Sequence, residues 1–328
     1  MKNSPVFALS MGDPAGIGPE IAVKALPSLS SCDFRIIVVG DLEVMQRALG
    51  YCKSQEKLNS VSDPQQAQCG KINVLDLNVI SPDQFTPGQI SPECGKAAYT
   101  YITEAIRLAL KGNVAGVVTN PISKESLKSA GINFPGHTEI FAEQTGTEDF
   151  SMVFFLDNVA VAHVTTHCSL KEAIELIKQK RVLRQIRLLN RSLEGLGITS
   201  PQIAVGGLNP HAGEKGLFGS EELEHINPAI EQARSEGINV SGPYPPDTVF
   251  MRAFRGEFNG VVSMLHDHGF VALKSRDFEH GVNITIGLPI IRTSVGHGTA
   301  FDKAGTGTAS PESLLSAIEA AWKLFRNR

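Results

Sequence analysis

Short apolar runs recur along this chain of 328 residues, and longer segments with helical spacing lie between them. The runs are continuously apolar and rich in β-branched residues, which is typical of strands covered on both faces. Strands are predicted at residues 6–9, 34–40, 72–77, 114–120, 151–156, 202–207, 260–265 and 283–288. Helices are predicted at residues 19–26, 42–49, 93–110, 138–144, 170–194, 220–236 and 311–325. This alternation indicates an α/β fold with a mainly parallel sheet.

The chain is longer than a single hydrophobic core usually supports, which favours two domains or one large α/β domain with a cleft. Hydrophobic residues make up 42% of it and charged residues 20%, as in globular proteins. Two stretches, residues 51–68 and 81–92, are polar or proline-rich and are predicted to be surface connections.

The charge balance argues against a nucleic-acid binder, because 30 Lys and Arg face 34 Asp and Glu. Neither a membrane-spanning run nor a signal peptide is recognisable, so we expect a cytoplasmic protein without membrane contact. The cysteines include no C-x-x-C pair, which predicts free thiols in a reducing compartment. They are Cys32, Cys52, Cys69, Cys94 and Cys168.

The usual nucleotide-binding motifs are missing. The sequence has no G-x-G-x-x-G after a strand and no G-x-x-x-x-G-K-[ST]. If the protein uses a nucleotide cofactor, it binds that cofactor without a classical Rossmann fingerprint or a P-loop.

Three histidines follow predicted strands, namely His167, His211 and His266. Open α/β sheets place ligands at the carboxyl ends of their strands, and converging imidazoles can hold a catalytic divalent ion. The alternative is that each histidine only bonds a nearby backbone group. Asp267 and His268 are candidates for further ligands or for residues that orient the ligands.

An anion site is predicted from cations and a helix start. His137 and Thr138 begin a predicted helix, with Thr138 as its cap, and free N–H groups at such a start attract phosphate. Arg292 can grip a phosphate or carboxylate with two hydrogen bonds, and Lys274 offers a point charge close in sequence to Asn283. Ordinary surface ion pairing is the alternative.

Two glycine-rich segments are candidates for a cofactor site. Gly12 and Asp13 lie in a turn before the first helix, and a tail rich in glycine and threonine precedes the last helix. Both can bring backbone close to a ligand, although a tight turn alone would also explain them. The candidate residues of the tail are Gly296, His297, Gly298 and Thr299.

Eight motifs in register resemble those of the 4-hydroxythreonine-4-phosphate dehydrogenases of pyridoxal phosphate biosynthesis, a family that includes related 4-phospho-D-threonate and 4-phospho-D-erythronate dehydrogenases. They span about residues 6–310. The motifs are GDPAGIGPE, GHTE, TTH, GLNPHAGE, PPDTVF, HDHG, GVNITIGLPIIRTS and HGTAFDKAGTG.

The resemblance implies an α/β/α fold like that of isocitrate and isopropylmalate dehydrogenases, with two subdomains flanking an active-site cleft. We expect residues 1–128 and 298–328 in the first subdomain and residues 129–297 in the second. The resemblance also implies NAD or NADP as cofactor, a homodimer with the active site at its interface, and one divalent ion (Zn, Mg or Co) on His167, His211 and His266. The implied substrate contacts are His137, Thr138, Lys274, Asn283 and Arg292.

The implied reaction is oxidation and decarboxylation of 4-phosphohydroxy-L-threonine to 3-amino-2-oxopropyl phosphate and CO2. Asp247 and Asp267 are candidate bases, and Lys274 is a candidate donor of the final proton. The alternative substrate is 4-phospho-D-threonate or 4-phospho-D-erythronate. Of the two classes, we expect the substrate of the vitamin pathway. A non-catalytic metal- or phosphate-binding protein is the more distant alternative.

Two positions depart from the family pattern. Gly296 stands where the family commonly has aspartate, which leaves the choice between NAD and NADP open. His268 stands where glutamine is common, and a base beside the metal would alter the pH dependence.

Overall fold

Strands and α-helices alternate through residues 4–29, 33–277 and 279–327, which are those that the computed structural model describes. The strands are β1 Val6–Ser10, β2 Arg35–Gly40, β3 Leu58–Val61, β4 Ile72–Asp76, β5 Gly116–Thr119, β6 Ser151–Leu156, β7 Val159–His163, β8 Ile203–Gly206, β9 Val240–Tyr244, β10 Gly260–Ser263, β11 Val282–Ile286 and β12 Arg292–Val295. The helices are α1 Gly18–Ala25, α2 Leu42–Tyr51, α3 Pro92–Leu110, α4 Lys124–Ser129, α5 His137–Gln144, α6 Leu170–Leu176, α7 Gln179–Gly195, α8 Asn227–Ser235, α9 Val249–Phe254, α10 His266–Arg276 and α11 Glu312–Arg326.

The predicted α/β class is confirmed, and each predicted strand has a counterpart within a few residues. The segment predicted as a connection at residues 51–68 contains β3, so that prediction is wrong there. The single helix predicted over residues 170–194 is also wrong. It breaks between α6 and α7, where the extended backbone of Ile177 brings a fully buried side chain into the core.

Residues up to Asp149 and Leu288–Phe325 form one compact unit. Its strands lie in the order β3-β4-β2-β1-β5-β12, with parallel pairing. Because the carboxyl ends of parallel strands meet at one edge, the segments after β1, β5 and β12 are neighbours. These segments carry the glycine-rich turn and the glycine-rich tail.

Phe150–Gly287, with the end of the chain from Arg326, forms the second unit. Its strands lie in the order β11-β6-β7-β10-β8-β9. The pairs β11–β6 and β6–β7 are antiparallel, and the remaining pairs are parallel. The segments after β7, β8 and β10 carry the three candidate metal histidines.

The core of the second unit consists of two clusters. Neighbouring strand residues such as Val261 and Val262 belong to different clusters, as the two-residue period of a strand requires. One cluster includes side chains of α7 and α8, and the other includes side chains of α9 and α10. Helices therefore cover both sheet faces, which explains the continuously apolar strands.

Among the described residues, no helix combines the length and the apolar character that crossing a membrane would require. Cys52, Cys69, Cys94 and Cys168 are free thiols, as predicted, whereas Cys32 lies outside the described residues.

Candidate functional site

The glycine-rich turn of the first unit is built around Asp13. Gly12 has a φ of +82°, and a Cβ there would lie 2.4 Å from the carbonyl oxygen of Pro121. Asp13 is buried, and its Oδ1 accepts a hydrogen bond of 2.9 Å from the N–H of Ala15. Burial raises the pKa of Asp13 to about 6. These contacts show that Gly12 and Asp13 shape the turn. Their role in cofactor binding stays a prediction.

The structure brings this turn to the glycine-rich tail. The N–H of Ile17 donates to the carbonyl oxygen of Thr299 over 3.1 Å. A Cβ on Gly16 would lie 3.1 Å from the Cβ of Thr299, a tight contact that glycine avoids. Elsewhere in the tail, Gly296 N–H donates to Ser313 Oγ over 2.9 Å. His297 Nδ1 lies 2.9 Å from the carbonyl oxygen of Gly298. Gly298 is exposed.

Sequence reasoning missed Glu20, which anchors the same tail. This buried carboxylate accepts hydrogen bonds from the N–H groups of Gly305 and Gly307, at 2.5 and 2.6 Å. An acid inside an otherwise apolar first turn, as in IGPEIAV, is the signal that could have revealed it.

Arg292 and His137 form the candidate anion site of the first unit. Arg292 is 3% exposed, donates from Nη2 to Thr119 Oγ1 over 3.0 Å, and lies 5.5 Å from the centre of the Phe141 ring. Burial lowers the pKa of Arg292 to about 10, so it remains charged near neutral pH. Burial and the Arg292 charge hold the pKa of His137 well below its usual value. A fixed positive charge thus stands beside a neutral imidazole.

The prediction that Thr138 caps helix α5 is wrong. Gly136 occupies the cap position in extended backbone, His137 is the first helical residue, and half-buried Thr138 lies in the first turn. Because glycine has no side chain, the helix begins without a side-chain cap. Thr138 stays a candidate substrate contact.

Two of the three candidate metal histidines lie close together in the second unit. The ring centres of His167 and His266 are 6.0 Å apart. His211 contacts the ring of Phe218, with 6.1 Å between ring centres. Within the described residues, no group of three or more His, Cys, Asp or Glu side chains could hold a metal ion together.

The chemistry of His266 fits a metal ligand. Its Nδ1 lies 2.7 Å from Oδ1 of Asp267. When Nδ1 carries the proton and donates it to this carboxylate, Nε2 keeps the lone pair that a divalent ion requires. That Asp267 orients a metal ligand stays a prediction.

A groove of about 810 Å³ opens beside this pair. Asp247, Asp267 and His268 contribute polar groups to it, and Met251 and Val271 contribute exposed apolar ones. Burial lowers the pKa of His268. The two candidate bases therefore line one groove of the second unit.

Lys274 and Asn283 belong to the second unit as well. Lys274 is exposed on α10, with its Nζ 5.3 Å from the centre of the Phe270 ring. Asn283 is half-buried on β11, where it pairs with Phe154 of β6. Both stay candidate substrate contacts.

His163, predicted to be a core or sheet-face residue, is buried at the end of β7. Its ring stacks on Phe270, with centres 4.5 Å apart and planes 7° apart, and lies 6.3 Å from the ring centre of His266. Among the described residues, neither ring nitrogen of His163 has a hydrogen-bond partner. Burial, reinforced by His266 and His268, lowers the pKa of His163 to about 3.

Known proteins resemble this chain over nearly its whole length. Relatives from Oceanobacillus iheyensis (46% identical over 99% of both chains) and Symbiobacterium thermophilum (47% identical over 98% of this chain and 97% of that one) are each named "Putative D-threonate 4-phosphate dehydrogenase". A crystal structure of 4-hydroxythreonine-4-phosphate dehydrogenase from Klebsiella pneumoniae is 42% identical, covers 98% of this chain and 100% of that one, and has a TM-score of 0.88. The model of the family described as pyridoxal phosphate biosynthetic protein PdxA matches residues 32–321. The chain therefore belongs to the PdxA family, as its motifs indicated.

Proposed function

We propose that this chain is a metal-dependent and NAD(P)-dependent dehydrogenase that oxidises and decarboxylates 4-phospho-D-threonate. The observation that carries the proposal is the near full-length similarity to relatives named for D-threonate 4-phosphate, at 46% and 47% identity. This ranks the sugar acid before the amino acid, which reverses the order expected from the motifs alone.

The reaction follows from the substrate's structure. Hydride transfer from C3 to NAD(P)+ converts the secondary alcohol to a ketone and releases one proton. The product is a β-keto acid, which loses its carboxyl group as CO2 and takes up a proton at C2. Dihydroxyacetone phosphate is left, together with NAD(P)H.

In the first unit, we assign the recognition of an anionic substrate group to Arg292. Burial and the hydrogen bond to Thr119 hold its guanidinium in position, so little side-chain freedom is lost on binding. His137 stays neutral beside it and can exchange a hydrogen bond with the substrate without adding charge. Thr138 offers a hydroxyl in the same helical turn.

We assign a divalent ion (Zn, Mg or Co) to His167, His211 and His266 of the second unit, with the proposed subunit interface completing the site, because the described residues of one chain do not bring three such ligands together. Such an ion would supply Lewis-acid stabilisation of negative charge on substrate oxygen atoms. Asp267 holds the His266 ring through Nδ1, which leaves Asp247 as the candidate base for the alcohol proton. Lys274 is the candidate donor to C2, and Asn283 a candidate substrate contact.

We further propose that the protein is a cytoplasmic homodimer, with its active site at the subunit interface, and that it binds neither nucleic acid nor membrane. Light scattering coupled to size exclusion, with and without the metal ion, tests the dimer. A monomer that is fully active would contradict it.

The test of the function is a turnover assay with the metal-loaded protein, NAD+ or NADP+, and 4-phospho-D-threonate. We expect NADH or NADPH absorbance to rise together with equal amounts of CO2 and dihydroxyacetone phosphate. His211→Ala should abolish turnover, whereas His225→Ala, a histidine outside the site, should not change it. If no turnover is detected with any of the metals and either cofactor, the proposal is overturned and the non-catalytic alternative is favoured.

The second candidate substrate is 4-phosphohydroxy-L-threonine. The family description and the name of the Klebsiella structure favour it. The same assay separates the two, because this substrate gives 3-amino-2-oxopropyl phosphate. A higher kcat/KM for the amino acid would assign the protein to pyridoxal phosphate synthesis.

A further inference from the structure

The segment that carries His211 has an unusual backbone. Residues 211–215 all have positive φ, between 42° and 77°, and Gly213 is the one glycine among them. L-amino acids normally adopt this left-handed conformation singly rather than in runs. Such a run persists where surrounding contacts impose it. Some neighbouring group must therefore hold this segment in place.

Besides backbone hydrogen bonds such as Ala212 N–H to the Asn209 carbonyl oxygen, one group placed to do so is the carboxylate of Glu222, which is 2% exposed. Its Oε1 accepts hydrogen bonds of 2.8 Å from the N–H groups of both Leu208 and Asn209. Its Oε2 accepts a hydrogen bond of 2.9 Å from Nδ2 of Asn209. The acid thus binds the strand end from which the left-handed segment starts.

The segment also closes around this carboxylate. A Cβ on Gly213 would lie 2.7 Å from Glu222 Oε2, and a Cβ on Gly207 would lie 3.1 Å from Oε1. The same Cβ on Gly207 would lie 2.8 Å from the Cα of Ala212. Glycines on either side of His211 therefore permit a close approach to the acid that other residues would prevent.

A carboxylate suits this place better than an amide. Each of its oxygens only accepts, and here both face N–H donors. In Glu222→Gln, one position would present an N–H₂ group to the N–H₂ group of Asn209, and one bond would be lost. Glu222 begins a single π-helical turn, Glu222–Ile226, a local irregularity that often accompanies functional sites.

We propose that Glu222 is a positioning residue for His211, because it fixes the backbone that presents this imidazole. The proposal rests on the proposed function, in which His211 is a metal ligand. The neighbouring Glu221 provides a matched control. Its Oε2 accepts from the same Asn209 side chain at 2.8 Å, but Glu221 is only half-buried, and no hydrogen bond among the described residues joins it to the backbone of this segment.

The first measurement is Co2+ binding by titration calorimetry. We expect Glu222→Gln to weaken binding by about 10-fold or more, as removal of groups that orient metal ligands does. Glu221→Gln should leave the affinity unchanged. Ile230→Ala, a core change in α8, should lower Tm without changing the affinity, which excludes general destabilisation as the cause.

A double-mutant cycle shows whether Glu222 acts through His211. In a His211→Ala background, Glu222→Gln should cause no further loss of Co2+ affinity. An equal loss in both backgrounds would overturn the proposal, and so would an unchanged affinity in Glu222→Gln. If His211→Ala itself binds Co2+ as tightly as the wild type, the metal site of the proposed function fails as well.

Hydrogen exchange of the metal-free protein tests the role of Glu222 without relying on metal binding or turnover. The N–H groups of Leu208 and Asn209 should exchange at least about 10-fold faster in Glu222→Gln, because their acceptor is weakened. In Glu221→Gln they should exchange at the wild-type rate. Unchanged protection in Glu222→Gln would overturn the proposal even if activity fell.

Discussion

His163 makes the protein less stable as the pH falls, and His163→Leu should remove this effect. The ring is buried and stacks on Phe270, and in the part of the chain that the structure describes it has no hydrogen-bond partner at either nitrogen. Protonation would place a charge in an apolar site beside His266 and His268, so the folded state binds a proton only below about pH 3. The unfolded chain binds it at the ordinary value of 6.5.

The sign and the magnitude follow from these two values. Because the folded pKa is depressed, this contribution to stability is fully present above pH 6.5 and is lost as the pH falls toward 3. Each pH unit in this window changes the free energy of unfolding by about 1.4 kcal/mol. Between about pH 7 and about pH 5, the wild type should therefore lose about 2 kcal/mol through His163 alone.

The assay is urea unfolding of the wild type and His163→Leu at several pH values, with a chelator present to exclude metal effects. Other titrating groups, including His137 and His268, contribute to both proteins and cancel in the difference. Relative to the wild type, His163→Leu should be about 2 kcal/mol more stable at about pH 5 than at about pH 7. Parallel stability curves for the two proteins would refute the argument.

Three further changes test single contacts. Arg292→Lys should lower kcat/KM by about 10-fold to 100-fold, because a planar charged donor is lost, and unchanged steady-state kinetics would exclude Arg292 from substrate binding. Asp267→Asn should weaken Co2+ binding about 10-fold in calorimetry, since the His266 ring loses its charged acceptor, and tight binding would contradict this role. Gly12→Ala should destabilise the protein by more than about 1 kcal/mol in thermal unfolding, because the new Cβ meets the carbonyl of Pro121. An unchanged Tm would show that the turn relaxes.

The sequence predicted most of the apolar strands, although it missed the buried β7, VAVAH, and it predicted the polar strands poorly. Strand β12 was missed because its sequence, RTSV, lacks a continuous apolar run, yet all four residues are buried. Arg292 donates to Thr119, 173 residues away, and Thr293 Oγ1 donates to the carbonyl oxygen of Ala317. Local hydrophobicity does not report burial when the partners of the polar groups are distant in sequence.

In the candidate site, too, some residues were recognisable from the local sequence and others were not. The loops with unusual composition were recognisable, because histidines and glycines at strand ends are informative by type. The approach of Ile17 to Thr299 also joins two segments that the sequence had singled out. The roles of Glu20 and Glu222 were not recognisable in the same way, because an acid in the first turn of a helix is usually exposed there.

Three of the four buried acids among the described residues share one pattern, whereas Asp13 accepts from Ala15 in its own turn. Each of three buried carboxylates accepts hydrogen bonds from two N–H groups of a loop that lies elsewhere in the chain. The pairs are Glu20 with Gly305 and Gly307, Asp41 with Val79 and Ile80, and Glu222 with Leu208 and Asn209. A charged acceptor gives stronger hydrogen bonds than a neutral one, and its loss leaves two backbone N–H groups without their acceptor. The side chains of these loops determine which ligands the loops can bind, whereas the buried acids hold the loop backbone that positions those side chains.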